Sequence, residues 1–126
     1  MKIVGTGSCL PQRVVSNDDL AAIMDTSDEW ISSRTGIRNR HIATTETTTS
    51  LACDAVKSAL QDAGIDGSEI ELIIAASVST DKIVPSLACQ IQAEIGAEGA
   101  VAFDINAACS GFLFGLATAD AYFKTG

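Results

Sequence analysis

The stretch Val101–Thr118 limits what this chain can become more than any other. It reads Val-Ala-Phe-Asp-Ile-Asn-Ala-Ala-Cys-Ser-Gly-Phe-Leu-Phe-Gly-Leu-Ala-Thr. Val101 to Ile105 has the short apolar character of a buried strand, Asn106 breaks it, and an apolar-periodic segment begins near Ser110. The pattern predicts a strand, a tight turn and a helix that runs to Lys124, with Cys109 on or just before the first helical turn. The first N–H groups of a helix lack intrahelical partners and carry the positive end of the macrodipole. A thiol in that position ionises more readily than a free cysteine, and nearby N–H groups can hold an oxyanion on a carbonyl under attack. Ala107, Ala108 and Gly111 leave room for a thioester to approach the backbone. Cys109 is therefore a candidate nucleophile for acyl transfer. The alternative is that it is a small buried hydrophobe, the commonest use of a free cysteine.

Strands alternate with helices along the rest of the chain. Lys2 to Thr6 reads as a first strand, with Gly5 and Gly7 in the turn that ends it. Ser16 or Asn17 can cap a short helix through Met24, with Leu20, Ile23 and Met24 turned inward. Thr26-Ser-Asp-Glu29 has the form of a capping box opening a second short helix, which Gly36 is placed to end. Trp30 and Arg34, four apart, share a face of that helix. Thr44 to Thr49 reads as a loop. Ser50 to Ala63 is amphipathic, with Gly64 as its C-cap and Asp66-Gly67 as a turn. Ile70 to Ala76 is the near-continuous apolar run of a strand covered on both faces. Ser77 to Asp81 follows as a polar loop at its carboxyl end, and Pro85 suits the first turn of a helix reaching Gly96. This order predicts an α/β domain, a single unit over residues 1–126, with a mainly parallel sheet and helices on its faces.

Composition narrows the function. The chain has 126 residues and a net charge of −8, with 47% hydrophobic but only 5% aromatic residues, so the core is aliphatic and general nucleic-acid binding is disfavoured. Four cysteines without paired spacing and a single histidine, His41, do not make a zinc set. Scattered thiols suit a reducing cytoplasm, and no apolar run reaches membrane-spanning length. No metal is expected. Cys53 and Cys89 read as packing residues, His41 as a surface or loop residue, and Asn106 as the residue holding the turn before Cys109.

Two signatures carry a family resemblance. Asn106-Ala-Ala-Cys-Ser-Gly-Phe112 resembles the nucleophile segment of the β-ketoacyl-acyl carrier protein synthase III family, condensing enzymes of thiolase fold. Asp25-Thr-Ser-Asp-Glu-Trp-Ile31, with Arg34-Thr-Gly-Ile-Arg38 and Arg40-His-Ile-Ala43, is similar to a second signature of that family. Val84-Pro-Ser-Leu-Ala-Cys-Gln-Ile-Gln92 is also similar, in a region that the family places near the active site and dimer interface. The resemblance implies that Cys109 accepts an acyl group from an acyl-coenzyme A and that malonyl-acyl carrier protein is then decarboxylated and condensed with it. It implies a coenzyme A site that includes Thr26, Trp30 and Arg34, the indole stacking on the adenine, with coenzyme A thioester as substrate and no separate cofactor. Arg34, Arg38 and Arg40 are candidates for a local carrier-protein docking patch.

The same resemblance covers most of the first half of a two-half fold. The family's catalytic histidine and asparagine lie in the second half, so a homodimer or a complementing second half is expected, together with an open sheet edge. Two alternatives stand beside this reading. One is a non-catalytic subunit or fragment that binds coenzyme A or a partner half. The other is a related thiolase-fold enzyme, such as a hydroxymethylglutaryl-coenzyme A synthase or a starter enzyme of secondary metabolism.

Overall fold

A computed structural model describes residues 2–125. In chain order the elements are β1 (Arg13–Ser16), α1 (Asn17–Ala21), α2 (Asp28–Thr35), β2 (Asn39–Ile42), α3 (Thr48–Ala63), β3 (Leu72–Ala76), α4 (Leu87–Glu94), β4 (Val101–Ile105) and α5 (Gly111–Thr125). Short 3-10 turns at Gly67–Glu69 and Ala108–Ser110 precede β3 and α5. The chain divides into two compact units, one made of Met1–Cys9 with Thr47–Gly126 and the other of Leu10–Glu46. The boundary falls inside the threonine-rich stretch.

The larger unit is built on a parallel pair. β3 and β4 run in register from Leu72↔Val101 to Ala76↔Ile105, joined through α4. Successive side chains of a strand point to opposite faces. Ile73 and Ala75 are buried in a core with Cys53 of α3 and Leu87, Ala88 and Ile91 of α4, whereas Ile74 and Ala76 meet α5 at Gly115 and Gly111. This explains why Ile70–Ala76 reads as a near-continuous apolar run, although the strand itself starts at Leu72. α3 begins at Thr48, two residues earlier than expected. Thr47 accepts the Ser50 N–H, and Ser50 Oγ accepts the Thr47 N–H in return. Gly64 closes it as expected. Ser86, not Pro85, opens α4, accepting the Cys89 N–H at 3.3 Å.

The strand expected at Lys2–Thr6 does not form. Strand pairing needs a neighbouring ladder, and this segment lies along α3 instead. A Cβ on Gly7 would sit 2.2 Å from the Ala55 carbonyl oxygen and one on Gly5 2.7 Å from that of Ala59. The glycines thus serve a close approach of backbone to helix rather than a turn. The Thr6 N–H donates to Asp62 Oδ2 at 2.9 Å. Among the described residues β3 has no strand partner other than β4, so the expected open edge is present.

The smaller unit contains a pairing that the sequence reading missed. β1 and β2 are antiparallel, from Arg13↔Ile42 to Ser16↔Asn39, with α1 and α2 between them. Ser16 caps α1 in a box with Asp19, but α1 ends at Ala21, and Ile23, expected to face inward, is 77% exposed. The unit closes around Asn17, 1% exposed. Its Nδ2 donates to Asp28 Oδ1 (2.7 Å) and the Ile37 carbonyl (2.8 Å), and its Oδ1 accepts from Arg40 Nη2. Arg40 Nη1 also donates to the Val15 carbonyl at 3.0 Å. Arg40 is therefore committed inside the unit, which removes it from the expected docking patch. Arg38 stands 3.6 Å from Asp28.

Candidate active site

Cys109 sits where the sequence puts it, on the 3-10 turn between β4 and α5, and it is exposed. The turn is tight because Ala108 takes φ 43°, a left-handed conformation that costs a non-glycine residue about 1–3 kcal/mol and persists only where its surroundings enforce it. The Ser110 N–H donates to the Ala107 carbonyl at 3.0 Å and the Gly111 N–H to that of Ala108. Two of the N–H groups expected to be free are thus consumed by the turn. Among the described residues the Cys109 N–H has no such backbone acceptor, which makes it the donor closest to the thiol for a developing oxyanion. A Cβ on Gly111 would lie 3.0 Å from Ala76 Cβ, so α5 starts hard against the end of β3. The Ser77 N–H donates to the Ile105 carbonyl at 3.3 Å. Cys109 therefore stands at the carboxyl ends of two parallel strands, the usual ligand-binding end of an α/β sheet. An apolar cavity of about 260 Å³ opens between β3 and the first turns of α5, lined by Ile74, Ala76, Phe112 and Leu116 among others.

The other candidate residues lie on the smaller unit. Thr26 is half-buried just before α2. It is not the cap: Ser27 Oγ accepts the Trp30 N–H at 3.1 Å, so the expected capping box with Glu29 does not form. Gly36 ends the helix as expected. Trp30 and Arg34 do come together. The Arg34 guanidinium carbon lies 4.4 Å from the indole centroid and Nη1 donates to the Trp30 carbonyl at 3.3 Å. Trp30 is 54% exposed, leaving an aromatic surface and a fixed cation side by side, a pairing that suits a base and its phosphates.

The remaining candidates resolve simply. His41 is exposed on β2, not in a loop, with Nδ1 2.6 Å from the Pro11 carbonyl oxygen. Asn106 is exposed, and no side-chain hydrogen bond caps the turn after it; the backbone closes that turn without Asn106. Cys53 is buried in the core, and burial pushes its thiol pKa up. Cys89 Sγ lies 4.0 Å from the Ala102 carbonyl oxygen on the packed side of α4. Among the described residues no group of three or more His, Cys, Asp or Glu could hold a metal ion, and no helix is long and apolar enough to cross a membrane.

Sequence reasoning missed two carboxylates near this end of the sheet. Asp81 accepts the Thr48 and Thr49 N–H groups at the start of α3 (3.1 and 2.7 Å). Asp104 accepts those of Leu87 and Ala88 at the start of α4 (2.9 and 2.7 Å). Asp104 carried a usable signal, because a charged residue inside a short apolar strand demands a partner.

Comparison with known proteins points to one family and fold. Residues 103–126 match the family model described as 3-oxoacyl-[acyl-carrier-protein] synthase III. The chain is 51% identical over 126 residues to a β-ketoacyl-[acyl-carrier-protein] synthase III of Clostridium acetobutylicum, covering all of this chain and 39% of that protein. A crystal structure of 3-oxoacyl-[acyl-carrier-protein] synthase III from Aquifex aeolicus superposes with a TM-score of 0.95 at 51% identity, over 99% of this chain and 41% of the other. The priming β-ketosynthase of the R1128 polyketide pathway superposes with a TM-score of 0.89 at 39% identity, over 94% of this chain and 36% of its own. The chain spans about two-fifths of the length of these relatives. In sequence and in its thiolase-like fold, the chain corresponds to the amino-terminal portion of β-ketoacyl-[acyl-carrier-protein] synthase III.

Proposed function

We propose that this chain supplies the acyl-accepting cysteine and part of the coenzyme A site of a condensing enzyme that starts fatty acid synthesis. The observation that carries the reading is the exposed Cys109 on a strained turn at the carboxyl ends of β3 and β4. The Cys109 thiolate attacks the thioester carbonyl of an acyl-coenzyme A. The carbonyl oxygen takes the negative charge beside the Cys109 N–H, and the tetrahedral intermediate collapses with loss of the coenzyme A thiolate. The acyl-cysteine is then attacked by the carbanion left when malonyl-acyl carrier protein loses carbon dioxide, giving β-ketoacyl-acyl carrier protein and returning the thiolate. Trp30 and Arg34, with Thr26 beside them, bind the adenine and phosphate end of coenzyme A. The histidine and asparagine that assist decarboxylation come from a complementing portion, and the working enzyme is a homodimer. Four free cysteines support a cytoplasmic setting.

Mass spectrometry after incubation with acetyl-coenzyme A tests this. The chain is used alone and mixed with the carboxyl-terminal portion of a similar synthase. One acetyl group on the wild type and none on Cys109→Ser is the expected result. Absence of the adduct in both mixtures would contradict the assignment and leave a coenzyme A-binding module. A second reading, starter-unit condensation in polyketide assembly, is supported by the likeness to the priming β-ketosynthase. It uses the same cysteine chemistry with a different carrier protein.

A further inference from the structure

Asp104 occupies the fourth of the five positions of β4, one residue before the strand ends and five before Cys109. It is half-buried, and both carboxylate oxygens are used: Oδ2 accepts the Leu87 N–H at 2.9 Å and Oδ1 the Ala88 N–H at 2.7 Å. These are the first two residues of α4, and both are buried. The helix already has a cap of the ordinary kind in Ser86, so it does not need Asp104 to begin. What the Asp104 carboxylate adds is a link from the end of β4 to the positive end of a helix. It therefore fixes the strand at the point from which the Cys109 turn departs. The turn needs such an anchor. Ala108 is held at φ 43°, and a strained residue keeps its conformation only when the structure around it over-determines it. On the other side the turn is held by Gly111 against Ala76 and by the Ser77 N–H on the Ile105 carbonyl.

We propose that Asp104 is a positioning residue for Cys109. By clasping the start of α4 it holds the strained turn in the conformation that presents the thiol beside its own N–H. The assignment rests on the reading of Cys109 as the nucleophile. It is tested by a readout that does not depend on coenzyme A.

The four cysteines are modified with iodoacetamide and each is quantified by peptide mass spectrometry, in the wild type, in Asp104→Asn and in Asp104→Asn/Ala108→Gly. Asparagine keeps the shape of the side chain but turns one acceptor into a donor facing an N–H. Modification of Cys109 is expected to slow about tenfold in Asp104→Asn as the thiol leaves the helix end. Glycine at position 108 removes the cost of the left-handed conformation, so the double variant is expected to regain most of the wild-type rate. Buried Cys53 reports loss of the fold. A wild-type rate at Cys109 in Asp104→Asn would overturn the proposal. So would a slowed rate that Ala108→Gly does not restore, whether or not Cys53 becomes reactive, because Asp104 would then support the fold without governing the turn. If the wild type shows the expected alkylation pattern yet takes no acetyl group from acetyl-coenzyme A, the nucleophile reading fails and the anchoring of the turn stands.

Discussion

The two units of this chain are held together by different physics. In the larger one, Ile73, Ala75, Leu87, Ala88 and Ile91 pack between a parallel strand pair and two helices. In the smaller one the only buried apolar residue is Val15, and the centre is Asn17, bridging Asp28, the Ile37 carbonyl and Arg40. Apolar packing is non-directional and tolerates local error, whereas a buried hydrogen-bonded network depends on every partner. The larger unit carries the candidate nucleophile on a strained turn, which requires a rigid base. The smaller carries Trp30 and Arg34 on an exposed helix face, where adaptation to a ligand costs little.

The sharpest way to break the comparison is to remove one centre at a time. Ile91→Ala leaves a cavity in the larger unit and is expected to cost about 3 kcal/mol of its stability. Amide hydrogen exchange should show faster opening across α3, α4, β3 and β4, while residues 10–46 keep their protection. Asn17→Ala strips the smaller unit of three hydrogen bonds and leaves Arg40 and Asp28 short of a partner, at an expected cost of about 2 kcal/mol. Exchange should then accelerate within residues 10–46 only. Equal acceleration in both units for either variant would show that they are not separately stabilised.

Acid sharpens the contrast. Glu46, in the smaller unit, accepts N–H bonds from Gln12, Thr44 and Thr45, and these hold its pKa at about 2. Asp81, in the larger, is held below the usual aspartate range chiefly by the Thr49 N–H. A carboxylate with a lowered folded pKa contributes stability that is present above its unfolded value and is lost as pH falls through the folded one. The Glu46 contribution is therefore whole above about pH 4.5 and fades toward pH 2. Nuclear magnetic resonance titration of the two side chains should find both midpoints depressed. Glu46→Gln should flatten the acid dependence of residues 10–46 alone. The smallest effect is expected at Lys57, 2.5 Å from Glu94 between α3 and α4, with both side chains about half exposed. Lys57→Ala should leave the melting temperature of the larger unit nearly unchanged, because water screens so exposed a pair.

The same contrast governs what the sequence revealed. Where burial is periodic, pattern and structure agree closely: α3 to Gly64, the Val101–Ile105 strand, the strand expected over Ile70–Ala76 that forms from Leu72, and the Cys109 turn. Lys2–Thr6 looks like a strand because its composition suits one, but pairing depends on a neighbour that no local pattern encodes. β1 and β2 escape a local pattern because Arg13–Ser16 is half polar, Asn39–Ile42 has only one apolar residue, and each is only four long. Asn17, just past β1, bonds to partners 11 to 23 residues away, which no local pattern reveals. At the site, spacing puts Trp30 and Arg34 on one helix face and Cys109 at a helix start, while their candidacy as binding and catalytic residues rests on the family resemblance. The strained φ of Ala108 and the clasp of Asp104 on α4 were not legible, because both arise only when distant backbone closes on them.

The central claim is that Cys109, alone among four free cysteines, is the acyl acceptor. The most direct measurement is peptide-resolved mass spectrometry of the chain, complemented with the carboxyl-terminal portion of a similar synthase, after brief exposure to acetyl-coenzyme A. Acetylation of the peptide bearing Cys109, with Cys9, Cys53 and Cys89 unmodified, is the predicted result. Acetyl groups spread over Cys9 and Cys89 as readily as Cys109, or none at all, would contradict it.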